Sequence, residues 1–94
     1  MTKNISNQQA KRLIQNGAKV VDIRDAEDFG DSHIPGAFNI DIDDLNKLHF
    51  DKYETIVVIC YSGIRSVAAA EILTELGYRN VYNLKNGYDN YNKH

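Results

Sequence analysis

Cysteine, proline and tryptophan are scarce in this chain of 94 residues, which has one cysteine, one proline and no tryptophan. A single cysteine cannot form an internal disulfide, so the class of small domains held together by disulfides is excluded. The single proline and only six glycines argue against a disordered chain. A lone thiol fits a reducing compartment, and we therefore expect a cytoplasmic protein.

Long apolar runs and an excess of charge of one sign are also missing. The longest apolar runs fall far short of a membrane span, and the N-terminal residues lack the apolar core of a signal peptide. Eleven basic and thirteen acidic side chains give a net charge of −2, which favours neither a nucleic-acid nor a membrane partner. The length predicts one domain over residues 1–94.

Short helical and extended segments alternate along the chain. Residues 55–59 are mostly apolar, as is typical of a central strand that is covered on both faces. Ser6 and Gln9 form a capping-box pattern before the first helix. The alternation predicts an α/β fold with an open, mostly parallel sheet and helices on both faces. Further strands are predicted over 20–23, 38–40 and 80–84, and further helices over 25–29, 66–76 and 88–92.

Two helical details follow from residue spacing. We expect Asp43 to cap a short helix that carries Leu45 and Leu48. In the helix over 66–76, apolar residues at helical spacing predict one face that packs on the sheet. These residues are Ala69, Ile72, Leu73 and Leu76.

The only cysteine lies between the predicted central strand and the following helix, in the run Cys60-Tyr61-Ser62-Gly63-Ile64-Arg65-Ser66. Sites in parallel sheets form beyond the carboxyl ends of strands. Successive loop N–H groups and a helix N-terminus attract anions, and they bias a thiol toward thiolate. Gly63 allows a tight turn, Arg65 supplies a cation, and Ser66 is expected to cap the helix. The pattern predicts a cysteine nucleophile that acts on a small anionic substrate.

Several segments resemble the signatures of the rhodanese-like domain family, in the same order and spacing over nearly the whole chain. The loop over residues 60–66 resembles the active-site loop of that family, and residues 77–84 resemble the strand after the active-site helix. Asn86-Gly87 stands where the family commonly has two glycines, and Tyr91 lies near a common tryptophan; we expect Asn86 to tolerate a positive φ there. The first signature consists of Val21-Asp22-Ile23-Arg24, Glu27, Phe29 and the segment from His33 to Ile40.

The resemblance implies a small thiosulfate sulfurtransferase (rhodanese), with Cys60 as its catalytic nucleophile. The Cys60 thiolate would take a sulfane sulfur from a small anionic donor such as thiosulfate and become a persulfide. The acceptor would be cyanide, a small thiol, or a protein such as a thioredoxin-like one. No cofactor and no metal are implied. The predicted substrate-binding residues, chiefly through their backbone N–H groups, are Tyr61, Ser62, Gly63, Ile64, Arg65 and Ser66.

Two other functions remain open at this point. A cysteine phosphatase or arsenate reductase also places a cysteine in an anion-binding loop that ends in arginine, but its loop is one residue longer than the four residues between Cys60 and Arg65. A rhodanese-like sulfur carrier or docking module would act on a protein partner instead.

The charged residues of the first signature also allow two interpretations. Asp22, Arg24 and Glu27 could lie near the pocket mouth, but we favour a structural set of ion pairs. His33 is interpreted as a hydrogen-bonded turn residue rather than a general base.

Overall fold

The fold is organised around a parallel sheet, as seen in a computed structural model that describes residues 2–92. Within these residues the chain forms five strands, and every neighbouring pair is parallel. The predicted α/β fold is confirmed, and the strand over 55–59 lies at the centre of the sheet. The spatial order is β1 (Lys3–Ile5), β5 (Asn80–Leu84), β4 (Thr55–Ile59), β2 (Lys19–Asp22) and β3 (Phe38–Asn39).

The helices follow the strands closely in sequence, and their predicted bounds are one or two residues from the observed ones. Within residues 2–92 no helix combines the length and the apolar character that a membrane crossing needs. The α-helices are α1 (Asn7–Gln15), α2 (Ala26–Asp31), α3 (Arg65–Glu75) and α4 (Gly87–Tyr91), and a 3₁₀ helix spans Ile42–Lys47.

Strand β4 shows why both faces of the sheet are covered. Ile56, Val58 and Cys60 point into one apolar cluster, which also contains residues of α3 and of the 3₁₀ helix. Val57 and Ile59 point into a second cluster, which includes residues of α1 and α4. Because side chains alternate along a strand, β4 supplies both clusters and is almost fully buried. Cys60 therefore lies at the carboxyl end of the central strand, on the side that faces α3.

The two predicted helix caps have different outcomes. The capping box of α1 is confirmed, since the Gln9 N–H donates to the Ser6 hydroxyl at 3.1 Å and the Ser6 N–H donates to the Gln9 side chain at 2.9 Å. The prediction for Asp43 is wrong. Asp41 caps the 3₁₀ helix instead, and its carboxylate accepts the Asp43 N–H at 2.8 Å. The helix begins earlier than its apolar residues suggest, so the cap shifts with it.

The buried face of α3 differs from the predicted stripe. Ala69 and Leu73 are fully buried as predicted, but Ile72 and Leu76 are 36% and 37% exposed. The other buried residues of the helix have small side chains, Ser66 in its first turn and Ala70 in its middle. Small residues allow the helix to approach the sheet closely beside Cys60, so volume rather than hydropathy decides which face is buried.

Strand β1 was not predicted from the sequence. Lys3 and Asn4 are exposed and only Ile5 is buried, so the segment has no apolar alternation that could signal a strand. It is an edge strand whose extended conformation depends on pairing with β5, where Asn4 lies opposite Asn83.

Asp22 and Arg24 form a buried ion pair at the carboxyl end of β2. Asp22 is fully buried and Arg24 is 8% exposed, and the Arg24 Nη2 atom lies 2.8 Å from the Asp22 carboxylate. The same Nη2 group donates to the Ser32 carbonyl at 2.7 Å, and the guanidinium lies 4.2 Å from the Tyr88 ring centroid. Glu27 is exposed on α2 and is not part of this pair. The structural interpretation therefore holds for Asp22 and Arg24 but not for Glu27.

The buried pair predicts a large and specific effect on stability. Asp22→Asn should lower the free energy of unfolding by about 3 kcal/mol, because it leaves the Arg24 charge buried without its counterion. Urea unfolding measures this change. Glu27→Gln, which also neutralises an acidic residue of the same signature, is the control and should change stability by less than about 0.5 kcal/mol. Equal effects from the two substitutions would contradict the role assigned to the pair.

Candidate active site

The loop after β4 is folded around the Cys60 sulfur. Cys60 is 2% exposed, and its sulfur accepts hydrogen bonds from the Gly63 N–H at 3.1 Å and the Ser66 N–H at 3.3 Å. The thiol itself donates to the Ser66 hydroxyl at 3.2 Å. Converging N–H groups of this kind form the anion-binding concavity that the loop sequence predicts.

These contacts change the acidity of the thiol. Burial alone would raise the pKa of Cys60, since it disfavours the charged form. Hydrogen bonds to the thiolate act in the opposite direction, since the ionised sulfur can only accept. The bonds that it receives from the Ser66 hydroxyl and N–H, followed by the Gly63 and Ser62 N–H groups, outweigh burial. The pKa therefore lies below its ordinary value of 9.0. A lowered pKa places more of the thiol in its nucleophilic form near neutral pH.

The expectation that Ser66 caps the helix is wrong. Helix α3 begins at Arg65, Ile64 occupies the cap position, and no side chain caps that end. Ser66 is already inside the first turn, where its side chain is buried and points at the sheet. Its hydroxyl donates to the Oδ1 atom of Asn83 and lies beside the Cys60 sulfur, so it serves the site rather than the helix end.

Asn83 is a buried residue next to the site that sequence reasoning missed. It lies on β5 and is 1% exposed. Its Nδ2 group donates to the Gly63 carbonyl at 3.0 Å and to the Asn4 side chain at 2.9 Å. A signal was present: Asn83 follows buried Val81 by two residues, so it shares the inward face of the strand. A polar side chain on the same buried face of a strand as an apolar one needs a hydrogen-bond partner inside the protein.

Two glycines let the active-site loop pack directly against the turn between β5 and α4. Gly63 has a φ of +87°, and a Cβ atom there would lie 2.1 Å from the Lys85 carbonyl oxygen. Gly87 has a φ of +74°, and its Cβ would lie 2.2 Å from the Tyr61 carbonyl oxygen. Asn86 has a φ of −99°, so its expected tolerance of a positive φ is not used in this turn. Only the second residue of the Asn86-Gly87 pair needs the left-handed conformation.

Helix α4 holds the same loop through its first N–H groups. The Tyr88 N–H donates to the Cys60 carbonyl at 2.9 Å, and the Asp89 N–H donates to the Tyr61 carbonyl at 3.2 Å. These bonds occupy the Cys60 and Tyr61 carbonyls, and the Asn83 side chain occupies the Gly63 carbonyl. The backbone around the sulfur therefore presents donors rather than acceptors, which suits an anion.

The remaining predicted loop residues form the rim of the site. Tyr61 and Ile64 are 61% and 76% exposed, and Ser62 and Arg65 are also exposed. Within residues 2–92 no carboxylate lies within ion-pair distance of Arg65. The structure thus brings the backbone of the predicted loop together around Cys60 and turns most of its side chains toward solvent.

Features away from the loop do not add to the site. His33 is held in its turn by the Phe29 carbonyl at 2.7 Å and stacks on the Phe29 ring, which confirms its interpretation. A cavity of about 270 Å³ lies at the amino ends of the strands, opposite Cys60, and includes Gly17 and Tyr53 in its lining. The described residues contain no group of three or more His, Cys, Asp or Glu side chains that could hold a metal ion.

Known proteins share part of the sequence and the architecture of this chain. The rhodanese-like domain family matches residues 6–94. The protein named thiosulfate sulfurtransferase GlpE from Ectopseudomonas mendocina is 42% identical over 89 residues, which cover 93% of this chain and 82% of that protein. Its namesake from Shewanella oneidensis is 40% identical over 86 residues, covering 87% and 83%. The crystal structure of a rhodanese-like domain protein from Staphylococcus aureus aligns with a TM-score of 0.84 at 26% identity, covering 96% and 91%. Because the family model covers residues 6–94 and relatives about 40% identical cover most of the chain, the chain belongs to the rhodanese-like domain family.

Proposed function

We propose that this protein is a thiosulfate sulfurtransferase in which Cys60 carries the transferred sulfur as a persulfide. The observation that carries the proposal is the position of the Cys60 sulfur, which accepts two backbone N–H bonds at the end of the central strand. Relatives about 40% identical over most of the chain are named thiosulfate sulfurtransferase, which supports the same donor here.

The first half-reaction is a displacement at sulfur. The Cys60 thiolate attacks the outer sulfur of thiosulfate and forms a new S–S bond, and the original S–S bond breaks. Sulfite leaves with the bonding electron pair, and the persulfide keeps one negative charge on its terminal sulfur. The loop N–H groups stabilise that charge, as the donors of an oxyanion hole stabilise oxygen.

The second half-reaction returns the enzyme to its thiolate form. A nucleophilic acceptor attacks the terminal sulfur, and the bond to Cys60 breaks with its electron pair on the Cys60 sulfur. Cyanide would leave as thiocyanate, and a thiolate would leave as a new persulfide. We propose small thiols and protein thiols as acceptors, in a reducing compartment such as the cytoplasm, where a lone cysteine stays reduced.

The size of the loop supports sulfur rather than phosphate chemistry. Only four residues separate Cys60 from Arg65, and Arg65 is exposed rather than folded over the thiol. A phosphoryl group needs donors around three oxygens and a cation close to them. A loop whose donors converge on one sulfur atom is matched to a smaller anion.

The covalent mechanism predicts that Cys60→Ser retains the fold and loses sulfur transfer, because serine oxygen cannot form a persulfide. Intact mass after incubation with thiosulfate should show one added sulfur atom in the wild type and none in the variant. A thiol should then remove the added atom. The wild type should not hydrolyse p-nitrophenyl phosphate; efficient hydrolysis without sulfur loading would favour the phosphatase alternative.

Arg65 is proposed to attract the anionic donor from the rim of the site. Arg65→Ala should lower kcat/KM for thiosulfate about fivefold, corresponding to about 1 kcal/mol for a solvent-exposed ionic contact. The loss should shrink as salt is added, because salt screens exposed charges. Arg79→Ala makes the same change of net charge away from the loop and is the control. Equal losses of kcat/KM in the two variants would show that Arg65 acts only through the net charge of the protein and not through its position at the site.

The lowered pKa of Cys60 predicts the pH dependence of its reactivity. Alkylation by iodoacetamide should have its midpoint below 9.0, the ordinary thiol value. Ser66→Ala should move the midpoint upward, because it removes the strongest of the hydrogen bonds that lower this pKa. By linkage, thiolate formation should stabilise the fold fully above the unfolded pKa, and this contribution should disappear as pH falls through the folded pKa. An unchanged midpoint in Ser66→Ala would show that backbone donors alone set the acidity.

A further inference from the structure

Asn83 is a buried amide whose hydrogen bonds converge on the active-site loop. An amide with 1% exposure is costly unless its polar atoms are bonded. Both ends of this side chain have partners: Oδ1 accepts from the Ser66 hydroxyl, and Nδ2 donates to the Gly63 carbonyl and to Asn4.

The orientation of this amide follows from its partners. The Gly63 carbonyl can only accept a hydrogen bond, so the Nδ2 group must face it. The Oδ1 atom then has to face Ser66, whose hydroxyl has a hydrogen to donate. The network therefore fixes both the Asn83 rotamer and the direction of the Gly63 carbonyl.

The Gly63–Ile64 peptide bond is the element that depends on this contact. In a trans peptide the N–H points opposite to the carbonyl, so the bond from Asn83 to the Gly63 oxygen turns the Ile64 N–H away from Asn83. Glycine also has the freedom to let this peptide rotate. Gly63 also donates its own N–H to the Cys60 sulfur at 3.1 Å. Rotation about this glycine would therefore disturb that bond and redirect a carbonyl oxygen in a loop that must bind an anionic sulfur.

We propose that Asn83 is a positioning residue for sulfur transfer, which holds the Gly63–Ile64 peptide in the orientation that keeps the loop a set of donors. This inference rests on the proposed function for its role in turnover. Its effect on the Cys60 thiolate needs no sulfur donor and can be measured separately.

Asn83 also affects Ser66, and the two effects have to be separated. Its Oδ1 atom competes with the Cys60 thiolate for the single hydroxyl hydrogen of Ser66. Removing Asn83 would release that hydrogen to the sulfur and favour thiolate, whereas a rotated peptide would disfavour it. In a Ser66→Ala background the competition is absent, and only the peptide contact remains.

The test measures the rate of Cys60 alkylation by iodoacetamide against pH in the Ser66→Ala protein, with and without Asn83→Leu. Asn83→Leu should slow alkylation at pH 7 about threefold to tenfold and move the midpoint upward, the effect of weakening about one hydrogen bond to the sulfur. Asn4→Ala in the same background is the control. It removes the other partner of Nδ2, which lies on the exposed edge strand, and should leave the profile unchanged.

Three results would overturn the proposal. These are an unchanged profile in Asn83→Leu, a faster alkylation rate, or an equal change in Asn4→Ala, which would assign the effect to strand β1. If Asn83→Leu does not fold, as judged by circular dichroism, Asn83→Ala replaces it and the same criteria apply.

Turnover gives the second readout and separates the two hypotheses. In the Ser66→Ala background, where the competition for the hydroxyl hydrogen is absent, Asn83→Leu should lower kcat for thiosulfate about tenfold with little change in KM, since the persulfide rather than the free donor depends on the loop donors. If the wild type transfers no sulfur at all, the proposed function fails, and the alkylation profiles still decide the role of Asn83.

Discussion

The burial of one sulfur atom beside backbone N–H groups is the constraint on which the rest of the structure depends. A thiol that is 2% exposed would ordinarily resist ionisation. Here the cost of burial is offset by donors from the loop and from the first turn of α3. Those donors are effective only if the backbone stays in place, because an N–H group that moves by about 1 Å no longer makes a useful hydrogen bond.

Three elements that are distant in sequence keep that backbone in place. Strand β5 supplies Asn83 beneath the loop, helix α4 occupies the carbonyls of Cys60 and Tyr61, and the turn before α4 packs against the loop through Gly63 and Gly87. The buried pair of Asp22 and Arg24 braces α4 from the other side, through the ring of Tyr88. The catalytic loop is local in sequence, but its rigidity is provided by the C-terminal part of the chain.

Sequence reasoning was successful where a pattern reflects a local cause. The central strand, the capping box of α1 and the position of Cys60 follow from apolar runs, cap residues and chain order, and all three are found in the structure.

Sequence reasoning failed where tertiary packing decides which residues are buried or extended. Ile72 and Leu76 have the right spacing but stay partly exposed, while smaller residues let α3 approach the sheet, and β1 is extended only because β5 pairs with it. Asn83 was missed because the importance of a buried amide depends on partners from Asn4 to Ser66, which are far apart along the chain.

The exposed rim formed by Tyr61 and Ile64 has a consequence for oxidative damage. A disulfide needs the two Cβ atoms to approach within about 3.5–4.5 Å. Two copies of Cys60 would have to meet beneath rims that project into solvent on both molecules, while each sulfur is nearly inaccessible. Covalent dimerisation through the only thiol is therefore sterically disfavoured in the folded protein. The burial that limits access to the sulfur thus also protects the cysteine from its counterpart in a second molecule.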